Sequence, residues 1–396
     1  MTAYQDAPGS DPTLTAARFR RTAVRLFTRV LAFFAVPGTP LLREQLQPAG
    51  RTEQVGGAGE EIQVAYVWPF SAALAAANAL AAHPGQEGAV WRPVVERLVG
   101  EALPRYWDDS GPVPGYDSAV LERGGGQRYY DDNAWIGLEL LRAARILGRP
   151  ELVDQAERTF AFVISGWDDR LGGGIAWREG DPGSKNTCSN GPAALLAAEL
   201  YLFTGDHVYL KWSERIYNWL VQTLQAPSGR FWDAIRQDGS IDRTFWTYNT
   251  GTPLETVVLL YRLFQDVTYL DAARWMVEGS RLFFDPIPSD SVVESDPISY
   301  PPPTPWFNAV LLRGYLRFAE VTGNSEPLRW FERSVRAALV QARDADGWFL
   351  PDWRGGLPRR GQAYLTLLDQ AAMVEILARL AAWLEEGPAS SLKVDD

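Results

Sequence analysis

The sequence predicts an all-α fold, a closed (α/α)6 barrel of six helical hairpins with about twelve helices. Three observations predict it: an internal repeat, two alternating series of amphipathic segments, and long connections at one end only. The repeat shows as a Gly-containing turn followed by an amphipathic run. Its aligned leucines are spaced by 58, 60 and 58 residues, at Leu152, Leu210, Leu270 and Leu328.

The first helical series is amphipathic and rich in arginine and glutamate, which is typical of helices on the outside of a barrel. It opens near 16–35, passes through AVWRPVVERLVGEAL around Val94, and continues with one run at each repeat leucine. The second series is richer in alanine and leucine, as in AALAAANALAA, so we expect it to form the buried inner ring. Its members are predicted at about 64–82, 131–147, 191–204, 252–265, 306–322 and 362–385.

The connections between the two series differ in length. Turns from the second series to the first are short, such as LGRP and TGDH. The reverse connections are long, at about 35–63, 104–130, 165–190, 225–251, 285–305 and 344–361. Loops beyond about 12–15 residues are uncommon unless they are functional, so we expect one elaborated face where all of them emerge.

The same pattern bears on closure and on domain boundaries. An open solenoid is the alternative to a ring, but six pairs without a polar capping repeat favour closure. We expect a single domain at 16–386, with an N-terminal tail at 1–15 and a C-terminal tail at 387–396.

Composition excludes several classes of function. The net charge of −11 and pI near 4.9 argue against nucleic acid and anionic membrane surfaces as partners. The single cysteine, Cys188, permits no intramolecular disulfide. With only His83 and His207 besides, a His/Cys metal site is not expected, and we expect no cofactor. A neutral ligand such as a sugar fits this composition.

Targeting signals are not evident in the sequence. The first residues lack a basic region followed by an apolar one, and no apolar run reaches the roughly 18–20 residues of a membrane span. We expect a cytoplasmic monomer, with secretion the alternative if a leader was removed. Only three of the 38 basic residues are lysines, which indicates a GC-rich genome, and we expect a bacterial source.

The long loops hold many aromatic residues, which indicates a binding face where flat sugar rings can stack. Packing of these rings onto the barrel rim is the alternative for about half of them. They are Trp107, Trp167, Trp177, Trp232, Trp246, Trp348 and Trp353, with Tyr116, Tyr129, Tyr130, Tyr248 and Tyr300.

The segment YYDDNAW places Asp131 and Asp132 at the start of a predicted inner helix. Taken alone, the pair fits a helix cap, since acids in a first turn complement the helix dipole. An inner helix opens into the mouth, however, and two adjacent carboxyls suit glycoside hydrolysis, nearer the short separation of retaining enzymes. We expect the helix N-terminus to lower the pKa of the nucleophile and its anionic neighbour to keep the acid protonated.

Four ordered motifs, YYDDNAW, GWDDRLGGGIAW, SKNTCSN and FWTYNTG, resemble glycoside hydrolase family 76, the endo-α-1,6-mannanases. The resemblance covers about 120–275 strongly. It implies an (α/α)6 barrel and a retaining α-mannosidic hydrolysis, with Asp131 as nucleophile and Asp132 as general acid/base. It further implies that a set of motif residues lines the sugar subsites. These are Tyr130, Asn133, Trp177, Asn186, Asn190, Asp233, Trp246 and Tyr248.

The chain departs from the family pattern at four positions. Ile136 and Ala176 stand where the family often has aromatics, and Leu171 and Cys188 also differ. The partner is expected to be an oligosaccharide or glycoside, with short α-mannosides an alternative to a polymer. Two other functions stay open: a non-catalytic carbohydrate-binding barrel, and a sugar epimerase or isomerase, which would need histidines at the mouth.

Overall fold

A computed structural model of the chain describes residues 12–46, 63–181, 183–284, 298–356 and 365–387. Helices dominate the described part. They are α1 Pro12–Phe33, α2 Val67–Ala81, α3 Gln86–Ala89, α4 Arg92–Arg97, α5 Tyr130–Leu147, α6 Glu151–Ser165, α7 Thr187–Thr204, α8 His207–Leu224, α9 Thr247–Phe264, α10 Val267–Ser280, α11 Pro305–Thr322, α12 Glu326–Gln341 and α13 Leu367–Glu386. A π-helical turn, Leu98–Ala102, extends α4.

Six of these helices form a closed inner ring: α2, α5, α7, α9, α11 and α13 each contact the next, and α13 packs back against α2. The outer helices α4, α6, α8, α10 and α12 follow their inner partners, while α1 packs against α13. The four repeat leucines are buried on the outer helices. The predicted (α/α)6 barrel is therefore confirmed, and the open solenoid is excluded because the first and last inner helices touch.

Several predicted boundaries were displaced. Helices α7 and α9 begin at Thr187 and Thr247, four to five residues earlier than the sequence predicts, and carry Pro192 and Pro253 inside. Burial on almost every side of these helices outweighs the cost of the glycine and proline residues in their second turns. Helix α1 begins at Pro12, inside the predicted N-terminal tail. The rest of both predicted tails, apart from residue 387, lies outside the described residues.

The long loops contain two small antiparallel sheets that the sequence did not predict. One pairs β1 Trp107–Asp108 with β2 Gly115–Tyr116. The other has the order β3 Ser184–Asn186, β4 Trp232–Arg236 and β5 Ile241–Phe245. Because Asn186 is paired with Ala234, the second sheet ties the loop before α7 to the loop before α9. Two mouth loops are thereby fixed to one another.

A buried ion-pair network occupies the barrel interior below the mouth. Arg313 on α11 makes two hydrogen bonds of 2.7 Å to Glu375 on α13, and its guanidinium lies 3.4 Å from Glu139 on α5. All three side chains are at most 3% exposed. Such a network is weak evidence for net stability, but removal of one partner would leave a buried charge uncompensated. Among the described residues, no helix is long and apolar enough to cross a membrane.

Candidate active site

The adjacent carboxyls lie at the mouth end of the barrel, where the N-termini of the inner helices and the long loops meet. Asp131 and Asp132 are the second and third residues of α5, and both side chains are half-buried. The N-cap of this helix is Tyr129, which makes no side-chain cap hydrogen bond. The pair does not occupy the N-cap position, although both acids lie in the first turn, where they complement the helix dipole. Both side chains keep partial exposure, although Oδ1 of Asp131 is itself buried.

Only one carboxylate oxygen of Asp131 accepts a hydrogen bond from a side chain in the described part of the chain. The indole Nε1 of Trp177 donates to its Oδ2 at 3.3 Å, whereas its Oδ1 has no hydrogen-bond donor among the described residues. Burial raises the pKa of Asp131 to about 6, against the lowering effect of Cys188, first-turn N–H groups and Trp177. The expected depression of this pKa by the helix N-terminus was wrong, because desolvation outweighs it. Asp131 is still mainly ionised at neutral pH.

Asp132 lies close to two other carboxyl groups, those of Asp131 and Asp117. Burial raises its pKa well above the usual range, and the charges of Asp131 and Asp117 raise it further. Asp117 lies in the loop after β2 and is itself buried, with its Oδ1 accepting from the backbone of Ala119 at 2.9 Å. Two neighbouring anions thus favour a protonated Asp132. The environment separates the two carboxyls into one anion and one acid.

A third carboxyl, Asp233, enters from the β4–β5 hairpin. Its Oδ1 accepts a hydrogen bond of 3.0 Å from Asn249 Nδ2, in the first turn of α9. Burial raises its pKa, and Asn249 lowers it. The electrostatic influence of Asp233 reaches Cys188 and Tyr248. The structure therefore brings this predicted residue to the same mouth as the pair.

An aromatic cluster forms another side of the mouth. The ring of Tyr248 lies 4.2 Å from that of Phe307, and Trp246 lies 5.4 Å from the same ring. Trp68 and Trp306 extend the cluster, with ring centroids 5.3 Å apart. The sequence analysis did not predict Trp68, Trp306 and Phe307 as residues of the mouth. All three stand in first turns of inner helices, as Asp131 does, and that shared position was the available signal.

Three predicted subsite residues lie beneath the surface instead. Asn133 and Asn190 are fully buried. Asn133 holds both backbone groups of Tyr116, accepting at 2.7 Å and donating at 2.9 Å. Asn190 does the same for Ile175, at 2.8 and 2.9 Å. Their assignment as sugar ligands is corrected to that of amides which fix the mouth loops to the inner helices.

Tyr130 is likewise corrected. Its ring packs 5.0 Å from Phe162 on the outer helix α6, and the side chain is 5% exposed. By contrast, Trp177 is 40% exposed beside Tyr129, with ring centroids 5.0 Å apart. Trp177 is thus an accessible aromatic residue in direct contact with Asp131.

The remaining loop residues divide between the mouth and the rim. Asn186 is half-buried, and its Oδ1 accepts from Ser184 at 2.6 Å. Trp348 and Trp353 are at most 3% exposed. They fit the alternative that some of the loop aromatics pack onto the barrel rim. Within the described ranges, no group of three or more His, Cys, Asp or Glu side chains is arranged to hold a metal ion.

Comparison with known proteins places this geometry in context. The model of Glycosyl hydrolase family 76 matches residues 51–382. The mannan endo-1,6-alpha-mannosidase DCW1 of Saccharomyces cerevisiae is 26% identical over 275 residues, covering 61% of this chain and 60% of the relative. The protein of the same name from Candida glabrata is 24% identical, covering 61% of each. The chain thus spans about 60% of the length of these relatives.

Solved structures resemble nearly the whole chain. The family 76 glycoside hydrolase (mannosidase) Bt3792 of Bacteroides thetaiotaomicron superimposes with a TM-score of 0.81 at 25% identity, covering 93% of this chain and 99% of that one. An inactive variant of the α-1,6-mannanase of Salegentibacter sp. HEL1_6, in complex with α-1,6-mannotriose, has a TM-score of 0.68 at 21% identity, covering 94% and 99%. Matches come from fungi and from bacteria, so they do not identify the source of the chain.

Proposed function

Because this chain belongs to glycoside hydrolase family 76, we propose that it cleaves α-mannosidic linkages, α-1,6 linkages in particular, with retention of configuration. Asp131 is the nucleophile in this proposal, and Asp132 is the general acid/base. The observation that carries it is the division of two adjacent mouth carboxyls into an ionised and a protonated group. Retaining glycosidases need that division before the first step.

The first step follows from the contacts of the pair. Asp132 donates its proton to the glycosidic oxygen as the leaving sugar departs, while an oxygen of Asp131 bonds to the anomeric carbon. Trp177 tethers Oδ2 of Asp131, whereas Oδ1 is buried and has no hydrogen-bond donor among the described residues. In the second step Asp132, now ionised, takes a proton from water, and that water displaces Asp131.

The relatives support the substrate class. Their names specify mannan and the 1,6-α linkage, and the Salegentibacter complex holds α-1,6-mannotriose in a variant inactivated at two consecutive aspartates. The half-buried rings of Trp246, Tyr248 and Phe307 offer apolar faces for such a sugar. A sugar isomerase is disfavoured, since His207 opens α8 at the opposite end of the barrel.

The test is hydrolysis of α-1,6-mannotetraose and aryl α-mannosides by the wild type, Asp131→Asn and Asp132→Asn. NMR of the first product should show the α-anomer. Asp131→Asn should abolish turnover on every substrate, because it removes the nucleophile. Asp132→Asn should retain glycosylation only with good aryl leaving groups, and added azide should yield the α-mannosyl azide. Asp154→Asn, at an exposed site on α6, is the matched control.

Three outcomes would overturn the proposal. A β-anomer as first product would contradict retention. Sugar binding without turnover in the wild type, unaffected by either substitution, would favour the carbohydrate-binding barrel instead. Interconversion of free sugars without hydrolysis would favour the isomerase.

A further inference from the structure

Arg128 joins three of the mouth loops. It lies two residues before α5, and its guanidinium makes two hydrogen bonds of 2.8 Å to the carboxylate of Glu179, in the loop before β3. Its Nη1 donates to the backbone oxygen of Val113, in the β1–β2 loop, at 2.9 Å. The side chain is only 6% exposed. A two-point contact between a guanidinium and a carboxylate fixes direction as well as distance, so the position of Glu179 depends on that of Arg128.

The guanidinium itself is packed against the outer helix α6. Its central carbon lies 5.0 Å from the ring centroid of Phe162, and the ring of Tyr130 packs against the same residue at 5.0 Å. On another side, a β-carbon at Gly111 would overlap the guanidinium of Arg128. An aromatic ring, a carboxylate and a glycine backbone therefore define where this charged group lies.

The segments that carry Arg128 and Glu179 also pair through their backbones. The N–H of Glu179 donates to the oxygen of Arg128 at 3.0 Å, and the N–H of Tyr130 donates to the oxygen of Trp177 at 3.1 Å. Trp177 also donates its own N–H to Ser184 of β3, at 3.2 Å. The contact between Arg128 and Glu179 thus holds the end of a short ladder, and the next pair of that ladder joins Trp177 to the first residue of α5.

We propose that Arg128 and Glu179 are positioning residues: their contact sets the loop that carries Trp177, so that the indole N–H stays hydrogen-bonded to the Asp131 carboxylate. This inference rests on the proposed function for its kinetic consequences, but the contacts themselves can be tested without turnover. Arg128 and Glu179 act through Trp177, whose Nε1 is 3.3 Å from Oδ2 of Asp131. A hydrogen bond to an ionised carboxylate is worth more than one between neutral groups, so its loss has a measurable effect.

Several titratable groups are linked electrostatically to Asp131. They are Asp132 on its own helix, Cys188 on α7 and Tyr248 on α9, with Asp117 and Asp233 acting on these groups in turn. The charges of Arg128 and Glu179 act instead on Tyr130. The effect of the Arg128–Glu179 contact on Asp131 is therefore geometric, through the indole of Trp177, which lowers the pKa of Asp131. Loss of the contact should move the acidic limb of kcat/KM to higher pH.

The kinetic test breaks the contact in three ways. Arg128→Met removes the positive charge, Glu179→Met removes the negative charge, and Gly111→Ala keeps both charges but displaces the guanidinium. All three should lower kcat on an aryl α-mannoside by up to about tenfold and move the acidic limb to higher pH. A direct effect of charge on Asp131 would instead move the limb in opposite directions in the first two variants and leave it unchanged in the third. That pattern would overturn the proposal.

Dependence on Trp177 is tested by combining substitutions. In the Trp177→Phe background, Arg128→Met should cause no further loss of kcat and no further shift of the limb, because the indole N–H is already absent. Additive losses would refute positioning through Trp177. The matched control is Arg105→Met, which breaks a 2.6 Å pair with Glu122 in another part of the mouth loops and should behave as the wild type.

The second test needs no turnover. The indole N–H resonance of Trp177, identified by its absence from the NMR spectrum of Trp177→Phe, should shift with pH as Asp131 ionises near pH 6, and should not do so in Asp131→Asn. In each of the three variants that urea unfolding shows to be folded, the shift should be much smaller than in the wild type and in Arg105→Met. A full shift in Gly111→Ala and Glu179→Met would refute the inference. A reduced shift with no hydrolysis by the wild type would refute the proposed function alone.

Discussion

The indole of Trp177 donates a hydrogen bond to Oδ2 of Asp131 at 3.3 Å, linking the loop before β3 to the first turn of α5. The same residue accepts, through its backbone oxygen, the N–H of Tyr130 at 3.1 Å. Trp177 thus fixes both the helix start and the orientation of the carboxylate. The orientation of the Asp131 carboxylate therefore depends on a loop residue as well as on the helix that carries it.

Trp177→Phe keeps an aromatic ring but removes the indole N–H. We expect kcat to fall about tenfold and the acidic limb to move to higher pH, because the ionised form of Asp131 loses a donor. The measurement is kcat/KM against pH on an aryl α-mannoside. Trp275→Phe, at a tryptophan of similar exposure on the outer helix α10, should behave as the wild type. An unchanged limb in Trp177→Phe would contradict the role of the indole.

The pH dependence of the wild type follows from the pair. Asp131 must be ionised, so kcat/KM should fall as the pH drops through about 6. Asp132 must be protonated, so the rate should fall again above its own raised pKa, giving a bell-shaped profile whose limbs belong to the coupled pair. Asp132→Asn, assayed with a good leaving group, should lose the alkaline limb. An acidic limb below about pH 4.5 would rule out this reading of the pair.

Lys185 anchors a mouth loop from beneath. Its buried Nζ contacts the Asp168 carboxylate at 2.7 Å and the backbone oxygens of Asp168, Arg170 and Gly173 at 2.6–2.8 Å. Lys185→Met should lower the free energy of unfolding by about 3 kcal/mol, because it removes the buried donor that these acceptors share. Urea unfolding measures it. Lys211→Met, at an exposed lysine on α8, should change stability by less than about 0.5 kcal/mol. Equal losses would contradict the anchoring role.

Asp369 should make stability depend on pH. It is the third residue of α13, as Asp132 is of α5, and burial raises its pKa from 3.8 to about 6 against the lowering effect of Thr366. The folded state therefore binds the proton more tightly, so stability falls as the pH rises from about 4 through 6. Asp369→Asn should match the wild type at pH 4 and exceed it by about 1–3 kcal/mol at pH 7.5.

The measurement for Asp369 is urea unfolding at both pH values, with Asp154→Asn as the exposed control. If the difference between Asp369→Asn and the wild type is the same at pH 4 and pH 7.5, the carboxyl does not titrate as described.

The sequence by itself determined the barrel and the position of the carboxyl pair at the start of an inner helix. A repeat near 58 residues requires equivalent hairpins, and the apolar inner series has to bury itself, so a ring of helices follows from local periodicity. The pair could be predicted because Asp131 and Asp132 are adjacent in the chain and lie at the start of an inner helix. No long-range contact was needed for either inference.

Only the tertiary structure decided which neighbouring residues face the mouth. Asn133 and Asn190 belong to the same set of ordered motifs as the proposed catalytic pair but point into the loops they hold, while Trp68 and Phe307 reach the mouth from distant helices. The tertiary structure also determined the direction of the pKa shift at Asp131. Periodicity predicts which face of a single helix is buried. The burial and charge around a carboxyl at the mouth depend on residues from several helices at once.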